Sequence, residues 1–119
     1  MGADLMKSRA TAIKSRTGAE REALVNSLLA EQIQGRITYG DMLRQLRIEL
    51  TGMTQAEFAS LAGISRRSLT QLENDGSNPT VAVFGRAFRP FGLRVGFTPM
   101  GSTKERLEAI AQTLDIASP

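Results

Sequence analysis

The chain has 119 residues, enough for one compact domain with a modest core, and 41% hydrophobic against 23% charged residues is ordinary for a soluble globular protein. It contains no cysteine and no histidine, which removes disulfides, thiolate chemistry, the commonest metal ligand and the commonest general base at neutral pH. The formal charge of +3 is small, but it is unevenly placed. Lys7, Arg9, Lys14 and Arg16 face only Asp4 within residues 1–16, and Arg86, Arg89 and Arg94 face no acid within residues 80–100, a weak pointer to an anionic partner. No enzyme, metal or cofactor is expected. No apolar run approaches the ~20 residues of a membrane helix, and no secretory signal opens the chain, so a cytoplasmic protein with no membrane partner is expected.

Residues 1–16 read either as a frayed basic arm, as an arm that grips nucleic acid, or as a further short helix. "TGAEREALVNSLLAEQIQGR" predicts a helix with a capping box of Thr17 and Glu20, an apolar stripe of Val25, Leu28, Leu29 and Ile33, and Gly35 at the C-cap. A second helix starts at Thr38, buries Leu43, Leu46 and Leu50 and ends at Gly52. A third starts at Thr54 with Glu57 completing a capping box, turns Phe58 and Leu61 inward and stops at Gly63. Ser65 caps the fourth, with Leu69 and Leu72 buried, and "NDGSNP" ends it with dense turn chemistry. Thr80 caps the fifth, with Val81, Phe84, Ala87 and Phe88 inward, and Pro90 and Gly92 close it.

The period then changes. Leu93, Val95 and Phe97 alternate with Arg94, Gly96 and Thr98, the pattern of a strand with one apolar face. A single strand is not stable in water, so the same strand of a second copy is the simplest partner. Arg94 is left open between a solvated strand residue and a phosphate contact. The tail predicts a last helix capped by Ser102, with Leu107, Ile110, Ala111 and Leu114 at helical spacing. Glu105, Glu108 and Asp115 make no convincing catalytic pair and read as its solvated face.

The third and fourth helices are joined by a few residues around Gly63, which forces a sharp angle between them, the helix-turn-helix arrangement. At about 100° per residue, Arg66, Thr70, Asn74, Arg67 and Gln71 fall within an arc of about 140°, with Ser68, Leu72, Leu69 and Glu73 opposite. Guanidinium and carboxamide groups on one face suit base edges, although any surface helix has a polar face.

"LRQLRIELTGMTQAEFASLAGISRRSLTQLENDGSNPT" resembles the Cro/C1-type, or XRE-family, helix-turn-helix domain of bacterial and phage regulators. The features are Leu46-Arg47, "MTQAEFA", the Gly63-Ile64-Ser65 turn and "LEN" at 72–74, and the likeness covers roughly residues 40–92. It implies a mainly all-α, lambda-repressor-like fold of five to six helices, which binds double-stranded operator DNA as a homodimer and acts as a repressor. Carried over by position, it places base contacts on Arg66, Arg67 and Gln71, with Thr70 and Asn74 nearby. Gln55 meets a phosphate at a helix N-terminus, with Thr54, Ser65, Ser77 and Arg86 as further phosphate contacts. Arg47 and Glu73 form a structural pair.

The strand at 93–97 resembles the HipB-like antitoxin branch, in which two strands pair across the dimer; Leu93, Val95 and Phe97 then serve dimerisation. That branch adds a toxin as a possible partner and an antitoxin as the alternative function. The expected organisation is an N-terminal arm and helix over residues 1–37, the helix-turn-helix domain over 38–92, and a dimerisation strand with a tail helix over 93–119. The N-terminal helix, slightly favoured as a contact between protomers, is a route to a tetramer. The forty or so residues before the domain and its net acidic core depart from the family's minimal members, which leaves phosphate neutralisation to Arg86, Arg89, Arg94 or the arm.

Overall fold

The computed structural model describes residues 16–76, 78–101 and 103–116. Six α-helices follow in order among them: α1 Gly18–Ile33, α2 Tyr39–Leu46, α3 Gln55–Ala62, α4 Arg66–Glu73, α5 Val81–Phe88 and α6 Lys104–Ile116. A π-helical turn, Arg47–Thr51, extends α2, and a 3-10 turn, Arg89–Phe91, extends α5.

Local chemistry sets the ends. Hydroxyls of Thr17, Thr38, Thr54, Ser65 and Thr80 each accept the amide hydrogen bond three residues on, satisfying one of the orphan donors of the first turn. Among the described residues only Thr54 and Glu57 complete the reciprocal box. At α1 the Thr17 half alone forms, so the predicted box there is half made. The tail helix is capped by Thr103, whose hydroxyl accepts from Arg106 N–H at 3.2 Å; the predicted cap, Ser102, lies outside the described residues. Gly35 (φ 75°) and Gly63 (φ 73°) take the left-handed conformation that lets the next amide bond back into the helix, Arg36 N to Glu31 O and Ile64 N to Ala59 O.

The core is Leu28, Met42, Leu43, Leu46, Leu50, Phe58, Ala59, Leu69, Leu72, Ala87 and Phe88. Two inward assignments differ from the periodicity. Leu61 is 57% exposed, and Ala59 and Ala62 take its place, because small side chains let α3 approach its neighbours closely. Val81 is 71% exposed, since its first-turn position lies beyond the edge of the face made by Val83, Phe84, Ala87 and Phe88. Phe58 stacks on Phe91 with centroids 5.5 Å apart, and Tyr39 meets Phe84 edge-on at 4.8 Å.

The stripe of α1 packs on its own domain: Leu28 is buried, and Leu24, Val25 and Leu29 lie against the same core. This differs from the slight preference for a contact between protomers. Arginines fix the helix there. The π turn leaves carbonyls pointing outward at its C-terminal end; Arg16 donates to Glu49 O (2.8 Å) and Arg21 to Leu50 O (3.2 Å). The last residue of the basic arm is thereby held on the protein.

Residues 93–99 form neither helix nor strand, and no strand edge exists among the described residues for them to pair with.

Glu57 carries a pH signature. The Thr54 backbone N–H donates to its carboxylate, which, with a smaller contribution from the Thr54 side chain, holds it below the usual range against slight desolvation. A depressed carboxyl contributes stability that is complete above its unfolded pKa, about 4.3, and fades as pH falls through the folded value. The melting-temperature gap between the parent and Glu57→Gln is therefore expected at pH 7 and should close on acidification. A gap independent of pH would refute this.

Candidate nucleic-acid interface

Helices α3 and α4 are separated by Gly63, Ile64 and Ser65. The left-handed glycine reverses the chain, Ile64 packs against the core, and Ser65 starts α4 at once. One side of α4 is sealed by Leu69, Leu72 and Glu73. On the other, Arg66, Arg67, Gln71 and Asn74 are exposed. Thr70 is half-buried, and its hydroxyl is directed at Arg66 O (3.0 Å) and Gln55 Oε1 (3.2 Å).

Beneath this face lies a buried polar network. Arg47 and Glu73, 9% and 3% exposed, form a two-point ion pair: Nε to Oε2 at 2.6 Å and Nη2 to Oε1 at 2.9 Å. Arg47 Nη1 also donates to Met53 O at 2.9 Å, and Gln55 Nε2 donates to Glu73 Oε1 at 3.1 Å. The end of α2, the start of α3 and the end of α4 are thus held by one set of bonds. No buried side-chain polar atom is left without a partner among the described residues. Gln55, predicted at a phosphate, has both ends of its amide engaged inside the protein, by Glu73 and Thr70.

A second lock joins the start of α2 to the end of α4. Asp75, at φ 53°, accepts from Thr38 Oγ1 at 2.6 Å and Gly40 N at 3.0 Å. The approach is so close that a Cβ on Gly40 would lie 2.6 Å from Leu72 O and 2.7 Å from Glu73 O. Neither Gly40 nor Asp75 stood out in the sequence; the available signal was a glycine in the first turn of a helix, where it has no conformational reason to be.

The remaining predicted positions fall as follows. Thr54 and Ser65 are exposed caps whose hydroxyls accept from Glu57 N and Ser68 N; Ser65 also donates to Ser68 Oγ. Arg86 is exposed, beside Leu61, Ala62, Arg89 and Pro90. Ser77 lies outside the described residues. Acids pair with Arg16, Arg36, Arg44 and Arg47, whereas Arg66, Arg67, Arg86, Arg89 and Arg94 form no ion pair among the described residues. Among the described residues the arginines without an ion pair therefore include two on α4 and three along 86–94, besides Arg21, which donates to Leu50 O, and Arg106 on α6. No cluster of three or more His, Cys, Asp or Glu among the described residues could hold a metal ion.

Two short helices at a tight glycine turn, the second braced from behind and polar in front, define a helix-turn-helix module. Residues 43–96 match the helix-turn-helix family model, a match that supports an XRE-type domain and, with it, a DNA-binding regulator. No curated protein and no solved structure matched the chain. Among the described residues no helix is long and apolar enough to cross a membrane.

Proposed function

We propose that the chain is a sequence-specific transcriptional regulator that binds a pseudo-palindromic operator as a homodimer and represses by occupying it. The observation that carries this is the outer face of α4, where Arg66, Arg67, Gln71 and Asn74 are exposed and the arginines have no acidic partner among the described residues, on a helix braced by the Arg47–Glu73 pair. Arginine reads guanine O6 and N7, and glutamine or asparagine reads adenine N6 and N7. Arg66 and Arg67 diverge by about 100°, so one suits a base and the other a phosphate. Thr70, tied to Gln55, serves better as a brace than as a reader, and Gln55 orients α4 from within. Thr54, Ser65 and Arg86, with Arg89 and Arg94, are the phosphate contacts. Two copies joined through Leu93, Val95 and Phe97 place half-sites about one helical turn, roughly 10 bp, or a multiple of it apart. Residues 38–92 are then the DNA-binding domain, with α1 as an added layer on its core.

The test is selection of bound genomic fragments by the purified protein. Arg66→Ala and Arg67→Ala should cost about 1–3 kcal/mol on the preferred site where a guanine is read, and should flatten the preference at that base. Arg86→Ala should instead weaken all sequences alike and reduce the salt slope by roughly 1. If the α4 variants bind every sequence as well as the parent, the base-reading assignment is wrong.

A further inference from the structure

Five large apolar side chains in the C-terminal segment remain exposed: Val95, Phe97, Met100, Ile110 and Leu114. The last two belong to the stripe of α6, and Phe97 is fully exposed. On the domain itself, an open groove of about 350 Å³ is floored by Leu29, Ile33, Met42, Phe84 and Phe88 and walled by residues 93–98. Among the described residues nothing fills the groove, and Ile110 and Leu114 are exposed. A two-fold pair has two such grooves and two such tails, so exchange closes all four surfaces with one contact repeated.

We propose that the apolar stripe of α6 docks in the groove of the second protomer, beside the segment through which the two copies pair. It rests on the homodimer reading above. A two-stranded ribbon of 93–97 segments is at best marginal in water unless something covers its face. The 13-residue tail helix, with Ile110 and Leu114 exposed, is the element at hand. The stretch from Phe97 to Lys104 spans at most roughly 25 Å when extended, enough to cross a two-stranded ribbon and reach the other domain. Charge agrees as well: Arg94 at the groove has no acidic partner among the described residues, and α6 brings exposed Glu105 and Glu108. Within α6, Glu108 reaches only Lys104, at 3.9 Å in water, a pair easily exchanged.

Because the chain has no cysteine, introduced thiols report the contact without background. Full-length Gln32→Cys and Leu114→Cys chains of different mass are mixed, allowed to exchange subunits and oxidised, and the mixed disulfide is measured. Docking across the dimer predicts a Gln32→Cys–Leu114→Cys link between chains, suppressed in Ile110→Glu. In the cysteine-free background, Ile110→Glu with Leu114→Glu should raise the dimer dissociation constant about tenfold or more, because charges replace two apolar contacts. These tail positions are exposed within the chain, so its thermal unfolding at high dilution should be unchanged. A dimer that forms normally in the double variant and gives no mixed disulfide in the cysteine pair overturns the docking and leaves the homodimer standing. A parent chain that is monomeric by light scattering through the micromolar range overturns both.

Discussion

Arg47→Ala is expected to lower the unfolding free energy by about 3–5 kcal/mol, the usual cost of stranding one half of a buried ion pair. Total stability in small domains is only about 5–15 kcal/mol, so a large part of the population should unfold under mild denaturant. The cause is local. Glu73 is 3% exposed and would keep only the Gln55 amide as a donor, while Met53 O would lose Arg47 Nη1. Arg47→Lys should recover little, because an ammonium cannot make both parallel bonds. The informative variant is the double, Arg47→Met with Glu73→Leu. Removing both charges avoids the stranded carboxylate, and most of the stability should return. DNA binding should recover less, since Gln55 would lose its bond to Glu73 and be held against α4 by Thr70 alone. Urea titration of the four proteins checks this. A single-variant cost below about 1 kcal/mol would mean that the pair is not buried as described.

Gly40→Ala is expected to destabilise by at least the 1–3 kcal/mol typical of overpacking, even though alanine is the better helix former by about 1 kcal/mol. The two effects oppose each other, and the clash wins because its partners are rigid. The added carbon would meet Leu72 O at 2.6 Å, Glu73 O at 2.7 Å and Asp75 Oδ1 at 2.8 Å, and the first two are backbone atoms. Relief requires moving α2 away from the end of α4, which also stretches the Asp75 bonds to Thr38 and Gly40. Gly85 is the control. It lies inside α5, and nothing stands within 4 Å of its would-be Cβ. There the propensity gain is unopposed, and Gly85→Ala should stabilise by roughly 0.5–1 kcal/mol. Opposite shifts in melting temperature for the same substitution at two helical glycines would separate close approach from propensity. Equal shifts would contradict the packing at Gly40.

Much of the helical layout was legible, because caps are local. Thr54 with Glu57, Ser65, Thr80, and the glycines at 35, 52, 63 and 92 act within one turn of where they stand. The outer face of α4 was legible for a related reason: the eight residues of the helix and its cap Asn74, at helical spacing, can present Arg66, Arg67, Gln71 and Asn74 together only if the leucines turn the other way. Periodicity failed where a face had two possible edges. Leu61 and Val81 were assigned inward on hydrophobicity, whereas the interhelix spacing favoured Ala59, Ala62 and Val83. Which edge is buried depends on a neighbour, and the neighbour is not in the window.

What the sequence determined by itself, then, is where α1 and α3 to α5 begin and end, where α2 begins, and which face of α4 meets solvent, since these follow from bonds and angles spanning little more than one helical turn. Only the tertiary structure decided the rest. It turned Gln55 inward to Glu73 and Thr70, brought Asp75 onto the first turn of α2 across 35 residues, and held Arg16 and Arg21 on the carbonyls that the π turn leaves bare. It also laid the stripe of α1 on its own domain. Residues 93–99 mark the limit of both: their alternation describes a strand, but a strand is completed by hydrogen bonds to a partner edge, and the described residues hold none.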